Sequence, residues 1–428
     1  MTGTEKTKEK MLSRLLTWTL VGFLLRLAIM PVTMHGQDLT FINYFPYAFI
    51  TEGAWNPYAF ISMNFPNFPH TYYGPVLFAI MSAANFVFIK LFNCVTLGKL
   101  LAMSAGMMAK NSGTLDYIHA FSGLSLFKNL FLMKSPYLIF DFLIGGILLK
   151  LASGERKALS SYKLWIFNVV VLHSAYAVGQ FDLIPTFFVI LALLLATAKM
   201  PYLCIISLCL GGGTKVFPFI LVLPAVLLLG NNWRKRAFLL FTALITTLFI
   251  YLPFYLSSGN ALFDVFAQGR YYTGMTHIIL SGVFFIFYIA LSLNALADSK
   301  KDAPENQLFY YFLTLCFLVY AVTPIGFRYF VFATPFIALL IPANGKFGLF
   351  TFFIVLFLAF LRLPTRDVQL GLFAPLNPQY FMSIPTIQEV IGRFVDINMA
   401  YKLAARALLF SFFAAAGWVW KIKAKEAI

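Results

Sequence analysis

The feature that most constrains this chain is a series of long apolar runs separated by short basic segments. Hydrophobic residues form 61% of the 428 residues, and charged residues form only 11%, whereas a soluble globular domain carries about 25% charged residues. A chain of this composition has too little polar surface for a soluble enzyme, a disordered protein or a disulfide scaffold. The pattern predicts an all-α polytopic membrane protein.

The strong positive charge is consistent with that fold class. The net charge of +16 comes from 32 Lys and Arg against 16 Asp and Glu. In a soluble protein this excess would favour nucleic-acid binding. In so apolar a chain it indicates basic cytoplasmic loops that contact an anionic leaflet. We therefore expect membrane lipids and no nucleic acid among the partners. The cysteines lie in apolar runs and are predicted to be small core residues: Cys94, Cys204, Cys209 and Cys316.

The apolar runs place most of the predicted membrane spans. They fall near 11–33, 73–95, 135–151, 162–179, 183–199, 238–256, 277–297, 307–323, 329–344, 346–361 and 404–420. A weaker crossing is expected between about 97 and 127, and the glycines and charge of GGGTK (Gly211–Lys215) predict a broken hairpin over 201–229. The sum is roughly twelve to fourteen helices in two modules, 1–345 and 346–428.

Basic residues predict the side on which each loop lies. Residues 27–89 contain no Lys or Arg, so the 34–72 loop should face away from the cytoplasm. The second large outside loop is predicted at 362–403. The cytoplasmic segments are predicted at 154–163, 231–236, 299–305 and the tail from Lys421. The 34–72 loop is aromatic and apolar, so we expect it to lie on the membrane interface or to fold back over the bundle.

The only acids of that loop are Asp38 and Glu52. Asp38 follows the first span directly, where a carboxylate could act as general base for a hydroxyl nucleophile. A solvated or helix-capping Asp is an equally good interpretation of the local sequence. Glu52 and Tyr73, at the end of the loop, are candidate substrate contacts.

Two further polar positions interrupt apolar sequence. Asp182 is the only charge between Lys163 and Lys199, and Gln180 adds an amide two residues earlier. They are either candidate substrate contacts or parts of a capped turn. Lys134 is also a candidate contact at the start of a span, and Asp141 lies inside that span, where an ionisable group is functional or paired. A Lys134–Asp141 pair or an Asp141–Arg pair is the structural alternative.

Two cations are expected on the outside half, Lys215 and Arg328. A phosphate suits both, with Arg as a bidentate fork and Lys as a point charge. For Arg328 the alternative is an interfacial anchor. The spacing of His35, His70 and His173 supports no metal site, so no metal ligand and no cofactor is predicted.

The order of these segments resembles a known family. An acid after the first helix is followed by NPY (56–58), YYGP (72–75), K-x-P-Y-L-I-x-D (134–141), GQFD-x-I-P (179–185), G-x-x-K-x-x-P (212–218) and a late Arg-Tyr (328–329). This order is similar to that of polytopic glycosyltransferases of the GT-C superfamily, especially mannosyltransferase-like bacterial and archaeal members related to the GPI mannosyltransferases. The resemblance covers about residues 11–345.

The resemblance implies a metal-independent or metal-assisted inverting transfer of a hexose-type sugar from a polyprenyl-phosphate donor, although the ligand spacing does not support a divalent metal. The acceptor would be a hydroxyl of a lipid-linked or cell-envelope glycan, on the non-cytoplasmic face of a prokaryotic plasma membrane. Asp38 matches the catalytic carboxylate of the first loop, and Lys215 and Arg328 match the cations that hold the lipid phosphate. The GPI enzymes often carry a DxD-like pair, whereas this chain has GQD with one acid, which puts a metal-binding role of that loop in doubt. A transporter or lipid flippase is the alternative from another class, and a non-catalytic membrane subunit is a third.

Overall fold

A computed structural model describes residues 3–65, 73–110, 112–258, 275–323 and 326–426. Over these ranges the chain is helical, with one isolated β-bridge and no strand. The predicted residues His70 and Tyr72 lie outside the described ranges. The α-helices are α1 (Gly3–Ile29), α2 (Gly36–Glu52), α3 (Pro57–Asn64), α4 (Pro75–Phe86), α5 (Val95–Ala109), α6 (Thr114–Phe121), α7 (Leu126–Lys134), α8 (Pro136–Leu151), α9 (Glu155–Ile166), α10 (Val169–Val171), α11 (Leu183–Thr197), α12 (Pro201–Gly212), α13 (Val222–Leu229) and α14 (Trp233–Ser258).

The second half of the chain continues with α15 (Met275–Asp298), α16 (Leu308–Val322), α17 (Thr334–Leu340), α18 (Gly345–Arg362), α19 (Pro378–Ser383), α20 (Ile387–Ile391) and α21 (Ile397–Glu426). Short π- or 3₁₀-helices connect several of them: Met30–Val32, Val87–Leu91, Leu172–Val178, Phe217–Leu221, Pro304–Gln307, Phe327–Phe332, Arg366–Val368 and Leu370–Phe373. The 3₁₀-helix Phe327–Phe332 bears on the site described below.

Six helices in the described ranges are long and apolar enough to cross a membrane. They are Glu9–Val32, Leu126–Leu151, Trp233–Ser257, Leu280–Asp298, Gly345–Arg362 and Ile397–Ala424. Large apolar side chains on them face outward, including Phe249 and Ile286, which are 83% and 69% exposed. This arrangement indicates an integral membrane protein, because such surface is stable only against lipid.

The predicted count of twelve to fourteen spans differs from these six, because several predicted spans are shorter or broken helices. Apolar helices of 10–17 residues account for five more segments: Pro75–Leu91, Val95–Met108, Leu183–Thr197, Pro201–Gly212 and Phe217–Leu229. The predicted span 162–179 divides between α9, α10 and a π-helix, and the span 329–344 begins as a 3₁₀-helix. The weak crossing near 97–127 contains the two short helices α5 and α6.

The predicted outside loop 34–72 is largely helical over its described part. The α2 helix buries most of its residues, among them Leu39, Ile42 and Phe45. It therefore folds back over the bundle, one of the two placements expected for it. The predicted cysteine burial is confirmed, since all four thiols are free and buried.

The basic segments lie together at one end of the bundle. Arg236 Nη2 donates to Ser299 Oγ at 2.8 Å, and Lys423 and Lys301 both pair with Asp298. These contacts join three of the four predicted cytoplasmic segments. The fourth, 154–163, lines a groove with the N-terminal part of α1.

Candidate functional site

Four segments that are distant in sequence meet at the C-terminal end of α1. They are the first turn of α2, the turn 179–182, the turn 213–215 and the Phe327–Phe332 3₁₀-helix. The groove lined by Arg14 lies nearer the other end of α1, about 22 Å from the C-terminal end of that helix. The hydrocarbon core of a bilayer is about 30 Å thick, and the candidate span Glu9–Val32, which contains both positions, is long enough to cross it. The site and the basic groove therefore lie at opposite ends of one predicted span.

Asp38 lies in the first turn of α2 and is part of an ion pair. Arg328 Nη1 donates to its Oδ2 at 2.5 Å, and His35 Nδ1 lies 3.2 Å from the same oxygen. Burial alone would raise the pKa of this carboxyl. The Arg328 guanidinium and His35 outweigh it, so the pKa of Asp38 is held well below its usual range. The carboxylate is ionised, and the N-terminus of α2 favours its negative charge.

The turn between the Leu172–Val178 π-helix and α11 brings Gln180 and Asp182 into the site. Gly179 makes this turn possible, because its φ is +90° and a Cβ there would lie 2.7 Å from Leu39 Cδ1. Tyr137 fixes the turn by donating its hydroxyl to the Gly179 carbonyl at 3.1 Å. Both polar side chains of the turn are 1% exposed.

Several buried polar atoms of this turn have no hydrogen-bond partner of normal geometry among the described residues. They are Nε2 and Oε1 of Gln180 and Oδ2 of Asp182. The Gln180 amide is nevertheless close enough to Asp38 to help lower the pKa of that carboxyl. A buried polar atom without a partner costs free energy, which a ligand's hydrogen bonds would recover. The turn therefore offers unused hydrogen-bonding capacity.

The predicted broken hairpin is confirmed, and it carries Lys215. The α12 helix ends at Gly212, and the chain returns through the Phe217–Leu221 3₁₀-helix into α13. The hairpin tip pairs with the chain at the start of α4, since Gly74 N donates to Thr214 O at 3.0 Å and Val76 N to Gly213 O at 2.9 Å. A Cβ on Gly74 would lie 2.1 Å from Gly213 O, so only glycine allows this approach.

Lys215 and Arg328 lie on one aromatic ring, and each is paired with an acid. Lys215 Nζ is 4.0 Å and Arg328 Cζ is 5.3 Å from the centre of the Tyr329 ring. Lys215 pairs with Asp182, just as Arg328 pairs with Asp38. Segments that are distant in sequence thus supply a carboxylate for each cation. A phosphate that entered between them would have to take over contacts that carboxylates now make.

Other predicted residues divide between this site and elsewhere. Tyr73 belongs to the site: it forms the isolated β-bridge with Lys215, and its ring packs 4.6 Å from that of Phe181. Glu52 is exposed at the far end of α2, about 20 Å along the helix from Asp38. The structure therefore does not bring Glu52 to this site.

Lys134 is fully buried behind the site. Its Nζ donates to Met30 O at 3.0 Å, Thr33 O at 2.5 Å and Thr33 Oγ1 at 2.9 Å. These are carbonyls and a hydroxyl at the C-terminal end of α1, where a cation is stabilised by the helix dipole. Lys134 therefore anchors the chain that leads to Asp38, and its three protons are all used.

Asp141 is paired with an arginine, which is one of the two structural pairs proposed for it from the sequence. Arg26 Nε donates to its Oδ2 at 2.6 Å, and both side chains are fully buried. The alternative Lys134–Asp141 pair does not occur. The partner, Arg26, lies in the last turn of α1, and no local sequence signal distinguishes it from an interfacial anchor.

Sequence reasoning did not include His35 and Asp367 among the site residues. His35 Nε2 lies 3.6 Å from Asp367 Oδ2, and the neighbouring Met34 N donates to Leu372 O at 2.9 Å. The segment after α18 thus packs against the first turn of α2. No signal marked Asp367, because the 362–403 region contains no recognisable motif. Among the described residues, no group of three His, Cys, Asp or Glu side chains has the geometry to hold a metal ion.

Comparisons with known proteins return no matching family model, no matching characterised protein and no matching solved structure.

Proposed function

We propose that this chain is a membrane glycosyltransferase of the GT-C type, which it resembles in the order of its motifs. It transfers a hexose-type sugar from a polyprenyl-phosphate donor to a hydroxyl of a lipid-linked or cell-envelope glycan on the non-cytoplasmic face. One observation carries the proposal. Two Asp–cation pairs converge on the Tyr329 ring at the end of the bundle that lies opposite the basic segments.

The cations suit the leaving group of this reaction. The bond between the sugar C1 and the phosphate oxygen breaks, and the released polyprenyl phosphate keeps the bonding electrons. Preorganised cations stabilise the charge that develops on that oxygen. Arg328 can form a fork to two phosphate oxygens, while Lys215 contributes a point charge. The lipid tail requires a site that opens to the bilayer, as the outer ends of membrane helices do.

Asp38 suits the acceptor side of the reaction. As the bond from the acceptor oxygen to C1 forms, the hydroxyl proton passes to a carboxylate, which must be ionised beforehand. The lowered pKa of Asp38 meets that requirement. When the donor phosphate draws Arg328 away, Asp38 loses its main counter-charge and becomes a stronger base. The unpartnered Oδ2 of Asp182 and the amide of Gln180 are then available to hydroxyl groups of the sugars.

The test is a reconstituted reaction with a panel of polyprenyl-phosphate sugars and glycolipid acceptors. We expect polyprenyl phosphate and a glycosylated acceptor to form in equal amounts, as measured by mass spectrometry. Glu52→Gln serves as control, because Glu52 is exposed and lies outside the site. A lipid flippase would move the donor between leaflets without breaking its C1–phosphate bond, and such a result would overturn the proposal.

A further inference from the structure

A groove at the opposite end of α1 has a different character from the site above. It has a volume of about 330 Å³ and lies between the N-terminal part of α1 and the first two turns of α9. Small-ligand pockets begin at about this size. Lys10, Arg14 and Trp18 line it from α1 at four-residue spacing, which puts them on one face of that helix. Arg156 and Glu155 line it from α9.

The charges of this groove are not balanced. Three cations face a single carboxylate, Glu155. The ion pairs within the described part of the chain involve none of these four residues. A fourth cation adjoins the groove, since Lys163 Nζ lies 5.5 Å from the centre of the Trp18 ring. Like charges held together in this way favour an anion between them.

The surroundings of the groove indicate where that anion comes from. The candidate membrane span of α1 begins at Glu9, level with the groove. The neighbouring face of the same helix exposes Leu12, Leu16 and Leu20, which are 54%, 60% and 58% exposed. An anion with two acyl chains would place its charge among the cations and its tails along these leucines. Trp18 lines the same face of α1, one turn deeper in the span than Arg14.

We propose that this groove binds the headgroup of an anionic phospholipid of the leaflet that the basic end of the bundle faces. Arg14 and Arg156 contact the phosphate oxygens, since guanidinium groups pair with phosphate in bidentate geometry. Lys10 adds charge at the rim, and Trp18 packs against the glycerol region. Basic pockets between membrane helices are suited to such headgroups. This proposal does not depend on the sugar chemistry at the other end of α1.

The test uses the purified full chain and phosphatidylglycerol as the probe. Native mass spectrometry from detergent counts the bound lipid as phosphatidylglycerol or phosphatidylcholine is titrated. We expect the wild type to retain phosphatidylglycerol selectively. The double variant Arg14→Gln/Arg156→Gln should bind it at least about tenfold more weakly, because each basic residue near the membrane surface contributes appreciably to anionic-lipid binding.

The matched control is Arg234→Gln/Lys235→Gln, which removes one exposed and one partly exposed cation from the start of α14 at the basic end. It should retain the lipid as the wild type does. Equal loss in both double variants would overturn the proposal in favour of diffuse attraction. Equal retention of phosphatidylcholine would overturn it as well. Full displacement by glycerol phosphate would indicate a site for a soluble anion and would refute the lipid assignment. The thermal unfolding midpoint in phosphatidylcholine shows whether each variant is folded.

Discussion

The Arg26–Asp141 pair inside the bundle and the Arg328–Asp38 pair toward one end of it are both Arg–Asp pairs, but the inner pair has more of its hydrogen-bonding atoms satisfied than the outer, more exposed pair and its neighbours. Both oxygens of Asp141 are used, since Arg26 and Tyr176 donate to Oδ2 and Trp165 to Oδ1. Both side chains of the Arg26–Asp141 pair are fully buried. In the outer pair, Asp38 is 19% and Arg328 is 31% exposed.

The polar atoms around the two pairs also differ in how fully their hydrogen bonds are satisfied. Arg26 Nη1 donates to the carbonyls of Gly22 and Ile166 at 2.8 and 2.9 Å, and of its nitrogens only Nη2 lacks a partner among the described residues. Beside the outer pair, Gln180 and Asp182 keep unpartnered atoms. The inner cluster is a closed network that joins α1, α8 and α9. The outer cluster keeps bonding capacity that a ligand can use.

The largest expected effect is on the closed cluster. Asp141→Ala leaves the Arg26 charge buried without its counter-ion, which should lower the free energy of unfolding by about 3–5 kcal/mol. Unfolding in detergent by heat or by added denaturing detergent measures the loss. Asp38→Ala is the matched comparison and should lose far less, because Arg328 is partly exposed. Equal losses at the two sites would erase the distinction between them.

The next effect is on the cations of the open cluster. Arg328→Ala and Lys215→Ala should each raise the transition-state barrier by about 2–4 kcal/mol, as loss of a preorganised electrostatic group does. The kcat/KM of sugar transfer measures this. Arg328→Lys keeps the charge but loses the fork, so donor binding should weaken measurably. A structure with polyprenyl phosphate bound far from both side chains would contradict the assignment.

The next effect in size is expected for Asp38→Asn, which should reduce turnover about 100-fold or more while donor binding is retained. The amide keeps the shape of the carboxylate but cannot accept the acceptor's proton. Single-turnover kinetics separates the chemical step from binding. Wild-type turnover in this variant would remove Asp38 from the mechanism and direct attention to Asp182.

The pH dependence sharpens the same prediction. Because the pKa of Asp38 lies below its ordinary value of 3.8, activity should persist to acidic pH until the carboxyl protonates. Its contribution to stability is likewise present above pH 3.8 and is lost as the pH falls through the lower folded-state pKa. Arg328→Gln removes the charge that lowers the pKa of Asp38, while the burial that raises this pKa remains. The acidic limb of the kcat/KM profile should therefore move to higher pH. An unmoved limb would mean that another group controls it.

The smallest effect is expected at His35, which lies between Asp38 and Asp367. Burial lowers the pKa of His35, and the nearby charge of Arg328 lowers it as well. The carboxylates of Asp38 and Asp367 raise it by more, so the pKa of His35 lies above 6.5. A raised pKa gives stability that is fully present below pH 6.5 and is lost as the pH rises through the folded-state value. The stability difference between wild type and His35→Gln, roughly 1 kcal/mol or less, should therefore be largest below pH 6.5 and shrink as the pH rises through the folded-state pKa. A constant difference would show that His35 acts by packing alone.

The sequence predicts those features of this molecule that depend on local composition. The apolar class, the break at GGGTK and the burial of the cysteines follow from single segments, and the structure bears them out. The helical order of the 34–72 region is less visible locally, because α2 contains Pro46 and many aromatics. The α2 helix is stabilised by burial against the bundle, and this burial cannot be predicted from the composition of the segment.

The pairing of the site residues is beyond local reasoning. Asp38 and Arg328 are each marked by their isolation in apolar sequence, but nothing near either one specifies the other. The same applies to His35 and Asp367, and to Arg26 and Asp141. Mutual neutralisation depends on how distant helices pack, so the sequence suggests charged positions without showing that they are paired.

The separation between paired residues also sets an order of assembly during synthesis. Asp182 and Lys215 are 33 residues apart, whereas Asp38 and Arg328 are 290 apart. At about 5–20 residues per second, the ribosome needs roughly 15–60 s to pass from Asp38 to Arg328. During that interval the nascent chain contains Asp38 but not yet Arg328, whereas the Lys215–Asp182 pair can already form once Lys215 has been synthesised. The two halves of the site are thus completed at different times, and a truncated chain that ends before residue 328 contains only the earlier half.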